Sequence, residues 1–169
     1  MNGHVNAAAI RLDFRPHIDL VTSARKFVSD FYEHVLGDAD TVSRVALATH
    51  ELLENVIKYS SDGRSHLEIE LMETSLGDVL RIRARNRTTV QRAGELKALV
   101  SELEASTDPF ALYLKMMRRS GLQQEGSGLG LIRIRAETDM DVRCDVDGDV
   151  VTIIVEGQVA PPRSTQPTV

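Results

Sequence analysis

The stretch His50-Glu51-Leu52-Leu53-Glu54-Asn55-Val56-Ile57-Lys58-Tyr59 decides the reading of this chain. It closes an apolar stripe, Val42, Val45, Thr49, Leu52 and Val56, at steps of three and four, which predicts one helix capped by Asp40 or Thr41 and ending near Tyr59. On that helix Glu51, Asn55 and Lys58 fall at i, i+4 and i+7, so a carboxylate, a carboxamide and an ammonium share one face.

Each group suits phosphate chemistry. A neutral Asn oxygen ligates Mg²⁺ beside nucleotide phosphates, since that hard ion takes oxygen donors and completes its shell with substrate. A carboxylate one turn earlier suits a general base, and Lys58 a point charge for phosphate. The same residue types also occupy the solvated face of ordinary amphipathic helices, so the helix alone decides nothing about chemistry.

The second informative stretch is Gly126-Ser127-Gly128-Leu129-Gly130, just before a short helix expected from Leu131 to about Thr138. Glycine at every second position permits positive φ and lets backbone N–H groups approach a polyphosphate at a helix N-terminus. A flexible surface loop is the plain alternative.

Between the two lie Leu67, Ile69 and Leu71, alternating with Glu68 and Glu70, then Leu80, Ile82 and Ala84, alternating with arginines. With Gly77-Asp78 as turn, they predict a hairpin with one wet face decorated by Glu/Arg pairs. Further out, Ile10, Leu12 and Phe14 predict a strand ended by Pro16. Asp19 to Leu36 predicts a helix whose apolar stripe is Leu20, Ala24, Phe27, Val28, Phe31 and Val35. Two helices, Ala93 to Ala105 and Asp108-Pro109 to about Ser120, precede the glycine loop. A last hairpin, Val142–Val146 and Val150–Val155, turns at Asp147-Gly148-Asp149. Hairpin pairs rather than strand–helix alternation predict an α+β fold: a two-layer α/β sandwich with a mixed, mainly antiparallel sheet and helices on one face.

The 169 residues fit one domain, taken as 1–158, with a Pro-rich tail from Val159 expected to be disordered. Forty-two per cent hydrophobic residues and 4% aromatics point to a core of Leu, Ile and Val. A net charge of −5 argues against nucleic acid as the main partner. The absence of any leader pattern or apolar run near about 18 residues sets the expectation of a cytoplasmic protein without a membrane partner. Cys144 alternates with Val142 and Val146 and reads as a small core residue. The pair His50 and Glu54 reads as a helix-surface contact, and Met116-Met117 as packing.

Taken together and in this order, the two stretches resemble the N box, E-x-x-x-N-x-x-K-Y, and the G2 box, G-x-G-L-G, of the GHKL superfamily of ATPases, over about Ile10 to Glu156. That resemblance implies a Bergerat (histidine-kinase-like) fold holding Mg-ATP between helix and loop. Asn55 would ligate Mg²⁺, Glu51 would act as general base, and Lys58, Tyr59, Gly126, Ser127, Gly128, Leu129 and Gly130 would line the nucleotide site. The superfamily's G1 box falls at Asn86-Arg87-Thr88-Thr89, where its Asp becomes Asn86 and both glycines are absent. An Asn oxygen still accepts from an adenine amino group, but the charge is gone and the NH₂ needs another partner.

An Asn there, followed by Leu-rich helices and a G-S-G-L-G loop, resembles the SiaB-type regulatory kinases of the anti-sigma-factor group. Such a resemblance implies phosphorylation of Ser or Thr on a small STAS-like or SiaC-like regulatory protein, and it leaves room for a homodimer. Two other functions fit the same residues: a binding module in which nucleotide only orders the loop, and a free-standing ATP hydrolase. His50-Glu51-Leu52 also resembles a sensor-kinase phosphoacceptor box, but it lies within the N-box helix and lacks the following Pro.

Overall fold

A computed structural model describes residues 6–74, 77–120 and 128–159. In chain order the elements are β1 (Asn6–Phe14), α1 (Ile18–Leu36), α2 (Ala39–Tyr59), β2 (Ser65–Thr74), β3 (Gly77–Arg87), α3 (Val90–Ala105), α4 (Pro109–Ser120), α5 (Leu129–Thr138), β4 (Asp141–Asp147) and β5 (Val150–Val159). The strands form one five-stranded sheet in the order β1-β2-β3-β5-β4, antiparallel at every pairing.

Alternation along the strands sets the core. Leu67 lies opposite Ala84, which lies opposite Ile153; Ile69, Ile82 and Val155 make the next row. All six are buried, and the helices cover this face. Tyr32 of α1 fastens the layers, its hydroxyl donating to the Ile69 carbonyl at 3.2 Å. Burial, then the nearby Glu70 charge, push that phenol above its ordinary range.

Helix α2 forms the spine of the helical layer, touching α1, α5, β3 and β5. Every member of its expected stripe, Val42, Val45, Thr49, Leu52 and Val56, is buried. Its cap is Asp38 rather than Asp40 or Thr41: Asp38 is extended, at φ −116° and ψ 109°, and its carboxylate accepts from the Thr41 N–H at 3.0 Å. Only a residue outside the first helical turn can reach back to that orphan donor, which moves the helix start to Ala39.

Four further expectations need correction. The buried stripe of α1 is Val21, Val28, Tyr32 and Leu36, which leaves Leu20 and Phe27 at 39% and 51% exposure. The second face of β2 is not wet: Glu68 and Glu70 are buried, because Arg11 and Arg83 lie across both carboxylates. Of the methionine pair, Met116 packs on the core whereas Met117 is exposed. Val159 is not tail but the last residue of β5, paired with Asp78 and buried.

Candidate functional site

Glu51, Glu54, Asn55, Lys58 and Tyr59 of α2 face Gly128, Leu129 and Gly130 across a cleft of ≈ 210 Å³. Residues 121–127 lie outside the described residues, and with them the expected contributions of Gly126 and Ser127. Two larger grooves, of ≈ 410 Å³ each, lie at the strand faces and ends around His66 and Arg85. The smaller cleft is the stronger candidate, because it alone joins the α2 triad to a glycine-lined helix start.

Each wall has a local cause. Gly128 is the N-cap of α5 at φ 60° and ψ 11°, and no side chain caps the helix start, where the Leu131 N–H bonds back to the Gly128 carbonyl at 3.2 Å. A Cβ at Gly128 would also run into Leu99 of α3. Gly130 gives the α2–α5 contact its closeness: a Cβ there would sit 2.5 Å from Glu51 Oε2 and 3.4 Å from Asn55 Nδ2. Gly128 thus answers to backbone freedom and to the nearness of Leu99, and Gly130 to the nearness of Glu51 alone.

On the other wall, Asn55 Nδ2 donates to the Glu51 carbonyl one turn back, at 2.9 Å. This bond uses the nitrogen end of the carboxamide and leaves the oxygen as its open acceptor. Lys58 is exposed, its Nζ 5.5 Å from the Tyr59 ring centroid. The Arg92 guanidinium stacks on the same ring at 3.9 Å, which ties the end of α2 to the start of α3.

Glu51 is only 8% exposed, and its Oε1 accepts from Arg133 Nη1 at 2.9 Å. Arg133 also donates through Nε to Glu137 at 3.0 Å. The Glu137 hydrogen bond leads the effects that raise this guanidinium above its already high range, with the Glu51 charge adding to it, so Arg133 is a fixed cation. Oε2, the oxygen Arg133 does not hold, lies against Gly130.

Asn86 is not brought to this cleft. It is half-buried near the end of β3, its Nδ2 donating to the Arg87 carbonyl at 3.1 Å, and it borders the groove with Asp62 and Ser65. His50 and Glu54 make the expected surface contact, at 3.2 Å. Cys144 is half-buried, and burial, with the neighbouring Asp145 charge, pushes its thiol up to about 11.

Sequence reasoning missed Arg133 and Arg92. Arg133 follows Gly130 by one helical turn, so its place on the loop-facing side of α5 was available from spacing. Nothing local marks Arg92, which stands 33 positions beyond Tyr59 and meets it only through the packing of α3.

No family model matches the sequence, and no curated protein matches it. Among solved structures, the fold is similar to a chain in the crystal structure of the SiaB–SiaC complex from Pseudomonas aeruginosa. The TM-score is 0.65, with 88% of each chain covered and 9% identity. At that identity the likeness is one of fold, and the chemistry of the cleft has to be argued from its own residues.

Proposed function

We propose that the α2–α5 cleft binds Mg-ATP and that the protein is a regulatory serine/threonine kinase acting on a small STAS-like or SiaC-like partner protein in bacterial partner-switching signalling. The observation that carries this reading is the meeting of Glu51 and Asn55 with Gly128, Leu129 and Gly130 around one opening. The residues fit the group: the open Asn55 oxygen suits Mg²⁺, the uncapped start of α5 suits a polyphosphate, and Gly130 keeps clear the space a side chain would fill.

When bound, Mg-ATP would supply the phosphoryl group and the cation that offsets its charge. The chain supplies position and proton handling. Asn55 would hold the metal; Lys58 and the amides of Leu129 and Gly130 would orient the phosphates; Glu51 Oε2 would take the proton of the acceptor hydroxyl. With its other oxygen held by Arg133, Glu51 is fixed in orientation, which a base acting on a docked hydroxyl requires.

The test is calorimetric titration of ATP with and without Mg²⁺, on wild type and Asn55→Ala, followed by transfer assays with Glu51→Ala on a cognate acceptor. Mg-dependent binding lost in Asn55→Ala, with transfer lost but binding kept in Glu51→Ala, supports the proposal. No binding at millimolar ATP would refute it.

A second reading has two observations in its favour: Arg133 already neutralises Glu51, and Asn86 lies away from the cleft. On this reading nucleotide orders the loop without turnover and the protein sequesters its partner. Partner binding that needs nucleotide but never yields a phosphorylated partner would select it.

A further inference from the structure

Strand β3 carries arginine at every second position, Arg81, Arg83, Arg85 and Arg87, on the sheet face turned away from the helices. Three of the four are held by carboxylates: Arg81 by Glu156, Arg83 by Glu68 and Glu70, and Arg87 by Asp149 at 2.9 Å. Arg85 is exposed and has no hydrogen bond or ion pair among the described residues. It is also the arginine that borders both of the larger grooves.

Around Arg85 the β2 side of the sheet is short of free negative charge. His66 stands directly opposite it, and its Nδ1 is engaged by Asp13 Oδ1 at 2.8 Å, which leaves Nε2 without a partner among the described residues. Arg64 precedes the Ser65–Asn86 pair and so comes across from Arg87; its guanidinium is exposed and likewise unpaired among the described residues. Asp62 is turned to Arg87, at 3.7 Å, and to the Arg64 N–H, at 3.0 Å. The groove of ≈ 410 Å³ that these residues line thus holds two carboxylates, both engaged, and two guanidiniums that are not. Like charges set side by side across a strand pair repel, and an anion between them relieves that repulsion.

On the other flank the sign reverses. Asp145 and Asp147 of β4 line the neighbouring groove, and Thr152 of β5 separates Asp145 from Arg85 in one cross-strand row. Two strand spacings, about 10 Å, lie between those two charges, so an anion is drawn to the β2 side of Arg85 and repelled from the β4 side.

We propose that the groove on the β2 side binds a phosphate monoester, its terminal oxygens held by the guanidiniums of Arg64 and Arg85 and, once its ring is protonated, by His66 Nε2. The class follows from the donors. Arginine forks match phosphate oxygens two at a time, and two forks lining one groove suit a dianion with three terminal oxygens better than a single carboxylate. The groove shares no residue with the α2–α5 cleft, so the site stands whether or not that cleft binds nucleotide.

The test is amide chemical-shift titration of the full, isotopically labelled chain at constant ionic strength, with inorganic phosphate and with a short phosphoserine peptide, on wild type, Arg64→Gln and Arg85→Gln. Both side chains are exposed and unpaired, so the fold should hold, and the dispersion of the spectrum checks it. Saturable shifts grouped at residues 62–66 and 85–87, with a millimolar or tighter Kd that each substitution weakens about tenfold, are expected. A peptide bound about tenfold more tightly than inorganic phosphate assigns the monoester to a phosphorylated protein, and equal affinity assigns it to a free small phosphate. No saturable shift at about 20 mM of either probe, both variants titrating as wild type, or shifts confined to Leu129 and Gly130 would overturn the proposal.

Discussion

Arg133→Ala offers the sharpest test of how the cleft is held together. Glu51 is 8% exposed and Arg133 is the cation on its carboxylate, so the truncation leaves a nearly buried charge without its counterion. Breaking a fully buried pair in this way costs about 3–5 kcal/mol, whereas exposed pairs contribute about 0–1 kcal/mol. The Arg133 side chain is 40% exposed, so water can enter as it leaves, and the expected loss falls between, at about 1–2 kcal/mol. In urea, with a slope of about 2 kcal/mol/M, the unfolding midpoint should drop by roughly 0.5–1 M.

The charge origin of that loss is separable from packing. Glu51→Gln in the Arg133→Ala background removes the stranded carboxylate, so the double variant should be more stable than the sum of the single losses, by about 1 kcal/mol. Equilibrium unfolding of the four proteins of the cycle measures this. A loss under about 0.3 kcal/mol for Arg133→Ala, or strictly additive changes, would show that the contact contributes nothing to holding α5 on α2.

Four further outcomes are expected. Gly128→Ala should lose about 1–3 kcal/mol, roughly 2–12 °C in melting temperature, because its φ is 60° and its Cβ meets Leu99; adding Leu99→Ala should recover only the steric part. Gly130→Ala should abolish nucleotide binding in calorimetry, since its Cβ would displace the Glu51 carboxylate and crowd Asn55; binding at wild-type affinity would remove this wall from the site. Burial raises the Glu68 carboxyl, but Arg11 and Arg83 outweigh it and hold it below its ordinary 4.5. The stability this contributes is present above that value and lost as pH falls through the lower, folded one, so Glu68→Gln should flatten the acid limb of an unfolding–pH curve. With its thiol pushed up to about 11, Cys144 should react slowly with a disulfide reagent at pH 8 and speed up sharply in denaturant.

What the sequence discloses here and what it withholds have different physical origins. Alternation and helical spacing report which face of an element is apolar, so the strands, the α2 stripe and the Glu51–Asn55–Lys58 face are legible from neighbouring residues alone. The α1 stripe misleads because both Leu20 and Val21, and both Phe27 and Val28, are apolar, so spacing admits two rotations of the helix; packing on α2 and the bond from Tyr32 to Ile69 of β2 choose one. Arg133 and Glu51 stand 82 positions apart, and the burial of Glu68 and Glu70 depends on arginines from two neighbouring strands. Such contacts have no local period, because they are created by the sheet order and by how closely two helices approach. Gly130 links the two kinds of information: its place in the loop is visible in sequence, while the reason a side chain there would displace a neighbour, the Glu51 carboxylate oxygen 2.5 Å from where its Cβ would stand, exists only once α5 has packed on α2. Close approach at a glycine is therefore the feature to seek when a sequence motif is taken to mark a binding site, since a loop glycine needed only for flexibility would face open space, as Gly37, Gly63 and Gly148 do.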